Sequence, residues 1–178
     1  RRLRGGHLWV YSNEIDSKVT PLGGFCAGDA VSVLAADNSV LGTAYMEPNS
    51  LICARLCAPR LQVALDREFF RAGIERALQL RQSFFEKPYY RLVYGDSDLL
   101  PGVVVDRYGD YLVLQLNNSG IERYESELVA AMQQVLQPRG ILLRADSRSR
   151  REQGLSTDSE VVYGDVPLEV TLEENGVH

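Results

Sequence analysis

Two closely spaced apolar, β-branched-rich runs, Val103 to Val105 and Tyr111 to Leu116, flank Asp106-Arg107-Tyr108-Gly109-Asp110. The pattern predicts a hairpin, with Gly109 at a turn position that needs positive φ. Beyond it the period lengthens. Ser119 and Glu122 have the spacing of a capping box, and Ile121, Tyr124, Leu128, Ala131, Met132 and Val135 then recur on one side of a helix that Pro138 ends. Residues 140–145 read as a further buried strand. Strand, helix and strand in succession predict a crossover, so the second hairpin strand should run parallel to this one in a mixed sheet.

Upstream the pattern is of short strands and tight turns: 30–34 and 40–45 around Ala36-Asp37-Asn38-Ser39, then 51–57 after Pro48-Asn49-Ser50. Several short strands within about 60 residues suggest a small, partly closed barrel. In the last strand Cys53, Arg55 and Cys57 share one face, and Ile52, Ala54 and Leu56 the other. Asp66 is positioned to cap a helix reaching about Glu86, with Phe69, Phe70, Ile74, Ala77, Leu78, Arg81 and Phe84 or Phe85 in its apolar stripe. Tyr89 to Tyr94 leads as a strand into the central hairpin. Residues 146–154 read as a charged loop, and 161–163 with 168–172 as a last strand pair.

The 178 residues suffice for one sizeable core or two modest ones, and no apolar run approaches the length of a membrane helix. Net charge is -5, but it is uneven: residues 1–90 carry 11 bases against 9 acids, and residues 91–178 carry 8 against 15. Any polyanion should therefore meet the first half. Cys26, Cys53 and Cys57 lack metal-site spacing and suit buried thiols in a reducing cytosol. Asp96, Asp98, Asp106 and Asp110 have Gly, Pro and Tyr neighbours, which favours turn capping over a magnesium site.

The basic, glycine-broken, aromatic start from Arg1 to Tyr11 suits phosphate contact and base stacking, or else a solvated arm before a strand whose Trp9 fills the small core. The RNA-contact candidates in the first module are His7, Lys18, Arg55 and Arg60, with Arg1, Arg2 and Arg4 adding flexible contacts. Arg55 has an alternative as the ion-pair partner of Glu14 or Glu47. Arg144, Arg148, Arg150 and Arg151 form the only basic focus of the acidic half, and phosphate contact by Arg148 and Arg151 competes with an ordinary solvated loop. No glycine-rich dinucleotide fingerprint, phosphate loop or serine elbow is present, so no catalytic, cofactor-binding or metal residue is assigned.

Gly6-His7-Leu8-Trp9-Val10-Tyr11-Ser12-Asn13-Glu14-Ile15, with Gly28-Asp29 and the run from Gly42 through Arg55, resembles the PUA RNA-binding domain of bacterial S-adenosylmethionine (SAM)-dependent ribosomal RNA cytosine-5 methyltransferases of the large-subunit type. Leu8 stands where that pattern usually has Pro. Leu100 to Asp110 resembles their intermediate domain, Arg151 to Leu155 their Arg, Glu, Gly, Leu segment, and Glu174 to Val177 the entrance to their methyltransferase domain. The resemblance implies an α+β, mixed fold: a PUA-like barrel over 1–63, a connector helix over 64–88, a central α/β domain with a mixed sheet over 89–174, and a truncated entrance at 175–178. It also implies that the catalytic Rossmann-like domain is absent.

On this reading the chain is the RNA-recognition and linking portion of a 23S rRNA cytosine-C5 methyltransferase. Neither independent catalysis nor a cofactor is expected in it, SAM belonging to the full-length protein. A cytoplasmic location, ribosomal RNA as partner, no membrane, and a homodimer through the missing or central domain are the accompanying expectations. A stand-alone PUA-type RNA-binding adaptor is the alternative, and a protein-interaction module is more remote.

Overall fold

The computed structural model describes residues 2–172, so the expected methyltransferase entrance at 174–177 lies outside the described residues. Four strands come first: β1 (Trp9–Tyr11), β2 (Ala30–Leu34), β3 (Val40–Met46) and β4 (Ile52–Pro59). They form an antiparallel sheet in the order β1-β4-β3-β2. In hydrogen-bond order β1 and β2 are the edge strands, and Val10 of β1 packs in one cluster with Val31 and Val33 of β2. One face packs Val10, Ala44, Met46, Ala54 and Leu56 beneath the turns that carry Leu3, Ile15, Leu22 and Phe25. The other face carries Tyr45 and Cys57 into the core of the second unit.

Helix α1 (Arg67–Gln82) starts where Asp66 accepts a hydrogen bond from the Phe69 amide, 3.0 Å away. It buries Phe70, Gly73, Ile74 and Ala77. It stops four residues before Glu86, because Ser83 turns its hydroxyl back onto the Leu80 carbonyl (2.6 Å) and competes with the next turn. Phe84 and Phe85 are consequently exposed and do not extend the apolar stripe.

Strands β5 (Tyr89–Tyr94), β6 (Val103–Tyr108) and β7 (Tyr111–Leu116) form an antiparallel meander whose β6–β7 turn holds Gly109 at φ 65°. Helices α2 (Ser119–Glu122) and α3 (Glu125–Leu136) then cross to β8 (Gly140–Leu143), which pairs parallel with β7. The cap of this crossover is Asn118, one residue before the Ser119 of the expected capping box: its Oδ1 accepts from the Ile121 amide at 3.0 Å. The single expected helix is broken at Arg123 and Tyr124, where the Tyr124 hydroxyl is drawn to the Gly28 carbonyl (2.6 Å) of the first unit.

The segment 146–154 is not a loop throughout, since it contains α4 (Arg148–Glu152), and β9 (Glu160–Gly164) follows antiparallel to β8. No strand forms over 168–172, where Pro167 has no N–H to offer a ladder and Leu168 is fully exposed. The five strands run β5-β6-β7-β8-β9. Leu92, Val103, Val105, Leu112, Leu114 and Ile141 pack on the side of α1 and α3, where the rings of Phe70 and Tyr124 meet at 5.4 Å.

The two sheets are joined by Tyr45, which is fully buried. Its hydroxyl donates to the Pro101 carbonyl (3.1 Å) and accepts from Asn118 Nδ2 (3.0 Å). The Tyr45 ring needs Gly120 beneath it, since a Cβ there would lie 2.5 Å from Tyr45 Cδ2. Tyr45→Phe should lower stability by about 1–3 kcal/mol, because it strands the buried Asn118 amide and Pro101 carbonyl. The check is urea unfolding, with a lower midpoint at an unchanged m-value; an unchanged midpoint would show that the hydroxyl does not anchor the junction.

Candidate nucleic-acid interface

The outer ends of β3 and β4 and the basic N-terminal arm enclose a cleft of 630 Å³, lined by Arg4, Gly6, Ser39, Leu41, Pro59 and Arg60 among others. Arg60 turns the chain out of β4 at φ 63°, held by its own N–H donating to the Leu41 carbonyl at 2.8 Å. Its guanidinium makes no hydrogen bond or ion pair among the described residues. Arg4 on the same wall donates to Asp37 (2.6 Å) and Ser39 (2.9 Å). His7 is exposed beside Gly6, whereas Lys18 is exposed on the loop before β2, outside this lining. Arg2 is tied to Glu14 (2.8 Å), and its guanidinium lies 4.5 Å from the centre of the Tyr11 ring.

Arg55 lies elsewhere, on the sheet face turned toward the second unit. Its Nε donates to Glu47 Oε2 at 2.7 Å, and its guanidinium sits 5.8 Å from the Trp9 ring centre. Of its two sequence-level alternatives, the structure forms the ion pair with Glu47. Trp9 does not fill the small core: it is 37% exposed, and its indole N–H donates to Asp96 Oδ2 (2.8 Å) in the turn after β5. Trp9, Glu47, Arg55 and Asp96 thus form a polar cluster between the units, with Glu47 Oε1 and Asp96 Oδ1 buried without a hydrogen-bond partner. Glu47 was open to the sequence as a partner of Arg55 and Asp96 as a turn cap, but their meeting in one cluster depends on the contact of Trp9 with Asp96, segments about 90 residues apart.

Helix α4 divides its arginines sharply. Arg148 is exposed and, among the described residues, paired with Glu152 (2.7 Å), and Arg151 donates to the Asp146 carbonyl (3.1 Å). Arg150 is buried. Its guanidinium donates to the Leu116 carbonyl (2.8 Å), the Ser156 carbonyl (2.9 Å) and Glu122 Oε1 (2.5 Å). The basic focus read from the sequence therefore loses Arg150 to the interior, and Glu122 serves as its counter-ion.

The aspartates of the central hairpin are separately engaged. Asp98 forms a two-pronged pair with Arg81 (2.6 and 2.7 Å), and Asp106 pairs with Arg91 (2.8 Å). Among the described residues, no three His, Cys, Asp or Glu side chains gather as metal ligands. Cys53 and Cys57 are buried, and burial pushes the Cys57 thiol up to about 12, so it stays protonated and unreactive at neutral pH. No described helix is long and apolar enough to cross a membrane.

Residues 1–58 match the family described as a PUA-like domain. The first unit is PUA-like. Over 183 residues the chain is 38% identical to the ribosomal RNA large subunit methyltransferase I of Vibrio cholerae, covering 99% of this chain and 45% of that protein. The protein of the same name from Tolumonas auensis is 37% identical over 174 residues, covering 95% of this chain and 43% of its own. The chain thus spans less than half the length of these curated relatives. Among solved structures, a putative SAM-dependent methyltransferase from Streptococcus mutans superposes with a TM-score of 0.77 at 24% identity, over 98% of this chain and 44% of that one. A putative methyltransferase complexed with SAH gives 0.76 at 24% identity, over 98% and 43%.

These superpositions correct the reading of the chain as a PUA-like part and central domain only, with the Rossmann-like catalytic fold absent. The five-stranded mixed sheet and its crossover lie within the 98% that superposes, so this α/β unit shares the fold of the matched 44% of that chain. The expectations of a recognition-and-linking portion without independent catalysis, of an inactive fragment, and of no cofactor do not stand, because they rested on placing this unit outside that fold.

Burial raises the Glu47 carboxyl above the ordinary range and outweighs the opposing pull of Arg55. A carboxyl whose folded pKa lies above its unfolded value contributes stability at low pH that is lost as pH rises through the folded value. Glu47→Gln should therefore remove a stability decline that wild type shows as pH rises from about 4.5, the ordinary glutamate value. Urea midpoints measured across this range, with identical slopes for the two proteins, would refute the assignment.

Proposed function

We propose that this chain serves SAM-dependent methylation of large-subunit ribosomal RNA in the cytoplasm, and that its PUA-like unit meets the RNA at the Arg4–Arg60 cleft. The observation that carries the RNA contact is the exposed Arg60 guanidinium, without a partner among the described residues, on the wall of a 630 Å³ cleft beside Arg4. A guanidinium held this way is free to take phosphate oxygens in a two-pronged contact without first breaking an internal ion pair. The PUA-like match over residues 1–58 and the names of the relatives support the same reading.

His7, exposed next to Gly6 of the cleft lining, adds a polar contact, and Lys18 a more distant cation. Arg148 and Arg151 offer phosphate contacts on the second unit, their pairing being exposed and easily exchanged. Arg55 contributes indirectly: committed to Glu47, it holds the Trp9 edge of the sheet.

SAM supplies the methyl group when bound. In open α/β sheets nucleotide-like ligands occupy the crevice beyond the carboxyl ends of the strands. In this chain the carboxyl end of β7 is covered by α4, with Arg150 on the Leu116 carbonyl and Gln153 accepting from the Ser119 amide at 3.0 Å. No chemical step is therefore assigned to residues there.

Arg60→Ala should weaken binding to a large-subunit rRNA fragment, and the slope of log affinity against log salt should become shallower by about 0.7–0.9, one phosphate contact. Fluorescence anisotropy at several salt concentrations measures both, and a folded variant with unchanged affinity and slope would overturn the cleft assignment. Protein carrying this chain, incubated with labelled SAM and large-subunit rRNA, should transfer label to the RNA; no transfer would overturn the enzymatic reading.

A further inference from the structure

Helices α1 and α3 cover one face of the five-stranded sheet, and the opposite face carries no described helix. In β6 and β7 the buried residues Val103, Val105, Leu112, Leu114 and Leu116 alternate with half-buried ones, so the latter share the uncovered face. This outer face has Val104, Val113 and Leu142 at its centre, with rings and guanidinium groups around them.

The strand registers put these groups in rows. Tyr89 stands beside Tyr108, and Tyr108 beside Tyr111, which makes one row of three tyrosines across β5, β6 and β7. Arg91 lies in the adjacent row beside Asp106, and Tyr94 follows at the end of β5, 56% exposed. The Arg91 guanidinium stands 5.2 Å from the Tyr94 ring centre. Register puts Tyr89, Arg91 and Tyr94 on the side of Tyr108, Asp106 and Val104, and Arg144, two residues beyond Leu142, follows the same side as Val113. With about 3.3 Å per residue along a strand, the tyrosine row and Tyr94 are roughly 16 Å apart, a span that suits several unstacked nucleotides.

We propose that this open sheet face is a stacking platform for single-stranded RNA. Unpaired bases would lie on Tyr108, Tyr111 and Tyr94, while Arg91 and Arg144 exchange their carboxylate partners, half-buried Asp106 and exposed Asp146, for the intervening phosphates. Rings flanked by arginines on a flat sheet are the chemistry that single-stranded nucleic acid uses, because every base offers a π-face whatever its identity. An A-form duplex keeps its bases stacked inside and gains nothing from these rings. The inference rests on ribosomal RNA being the substrate, and it assigns a second contact region distinct from the Arg4–Arg60 cleft.

Titration of the chain with labelled single-stranded and duplex RNA, followed by anisotropy, tests it with Tyr108→Leu, Tyr111→Leu and Tyr94→Leu, which keep an apolar side chain on the sheet. Each should lose single-strand affinity about tenfold, the corresponding Tyr→Phe variants should retain it, and duplex should bind more weakly than single strand. If the Leu variants bind like wild type while Arg60→Ala is impaired, the platform is overturned and the RNA reading stands. Equal affinity for duplex also overturns the platform. If wild type binds neither RNA, the RNA reading itself fails, and the platform with it.

Discussion

The relation between the two sheets depends on one buried hydroxyl. Tyr45 reaches from the centre of the first sheet into the core of the second unit, and it can do so only because Pro101 and Asn118 satisfy its oxygen in a place water does not reach. Asn118 is engaged at both ends of its amide: it donates to Tyr45 and its oxygen caps α2. The start of the crossover helix is thereby tied to the junction between the units. Gly102 and Gly120 complete the arrangement, since a side chain at either would collide with Asn118 or with the Tyr45 ring.

A second group of contacts fixes the rim of this junction. Tyr124 donates to the Gly28 carbonyl, Arg123 pairs with Asp29 at 2.6 Å, and the Trp9 indole reaches Asp96. Each spans 87 to 96 residues of chain. The surfaces proposed to meet RNA, one on each unit, are consequently presented in a defined relation. Loosening the junction would change that relation without altering either surface.

Arginine use separates structure from recognition. Arg150 and Arg55 are nearly or largely buried and committed to Glu122 and Glu47, and Arg81 is clamped to Asp98. Removing one partner from such a pair leaves an uncompensated charge in a poor solvent, so these side chains are held in place. Arg60 lacks such a partner among the described residues, and Arg148 is exposed beside Glu152. Those are the guanidinium groups that polyanions can engage at little cost. The net charge of -5 therefore says little about where a polyanion such as the proposed RNA would bind.

Much of the fold was legible from local pattern. The period-two runs around Gly109 and the crossover to a parallel β8 follow from side-chain alternation and chain geometry, and both are present. The start of α1 follows from Asp66, whose cap is made within three residues. Local competition moved other boundaries: Asn118 displaced Ser119 as the cap, and Ser83 ended α1 early. What the sequence left open was which polar groups would be buried together. Arg55 had two candidate partners, Arg150 read as part of a solvated loop, and Trp9 read as core or as a free ring. Periodicity reports which face of an element is apolar, whereas a buried ion pair depends on what packs against that face from a distant segment. Asp96 acquired its partner Trp9 only when the two units closed on Tyr45, whereas Glu47 and Glu122 met Arg55 and Arg150 within their own units.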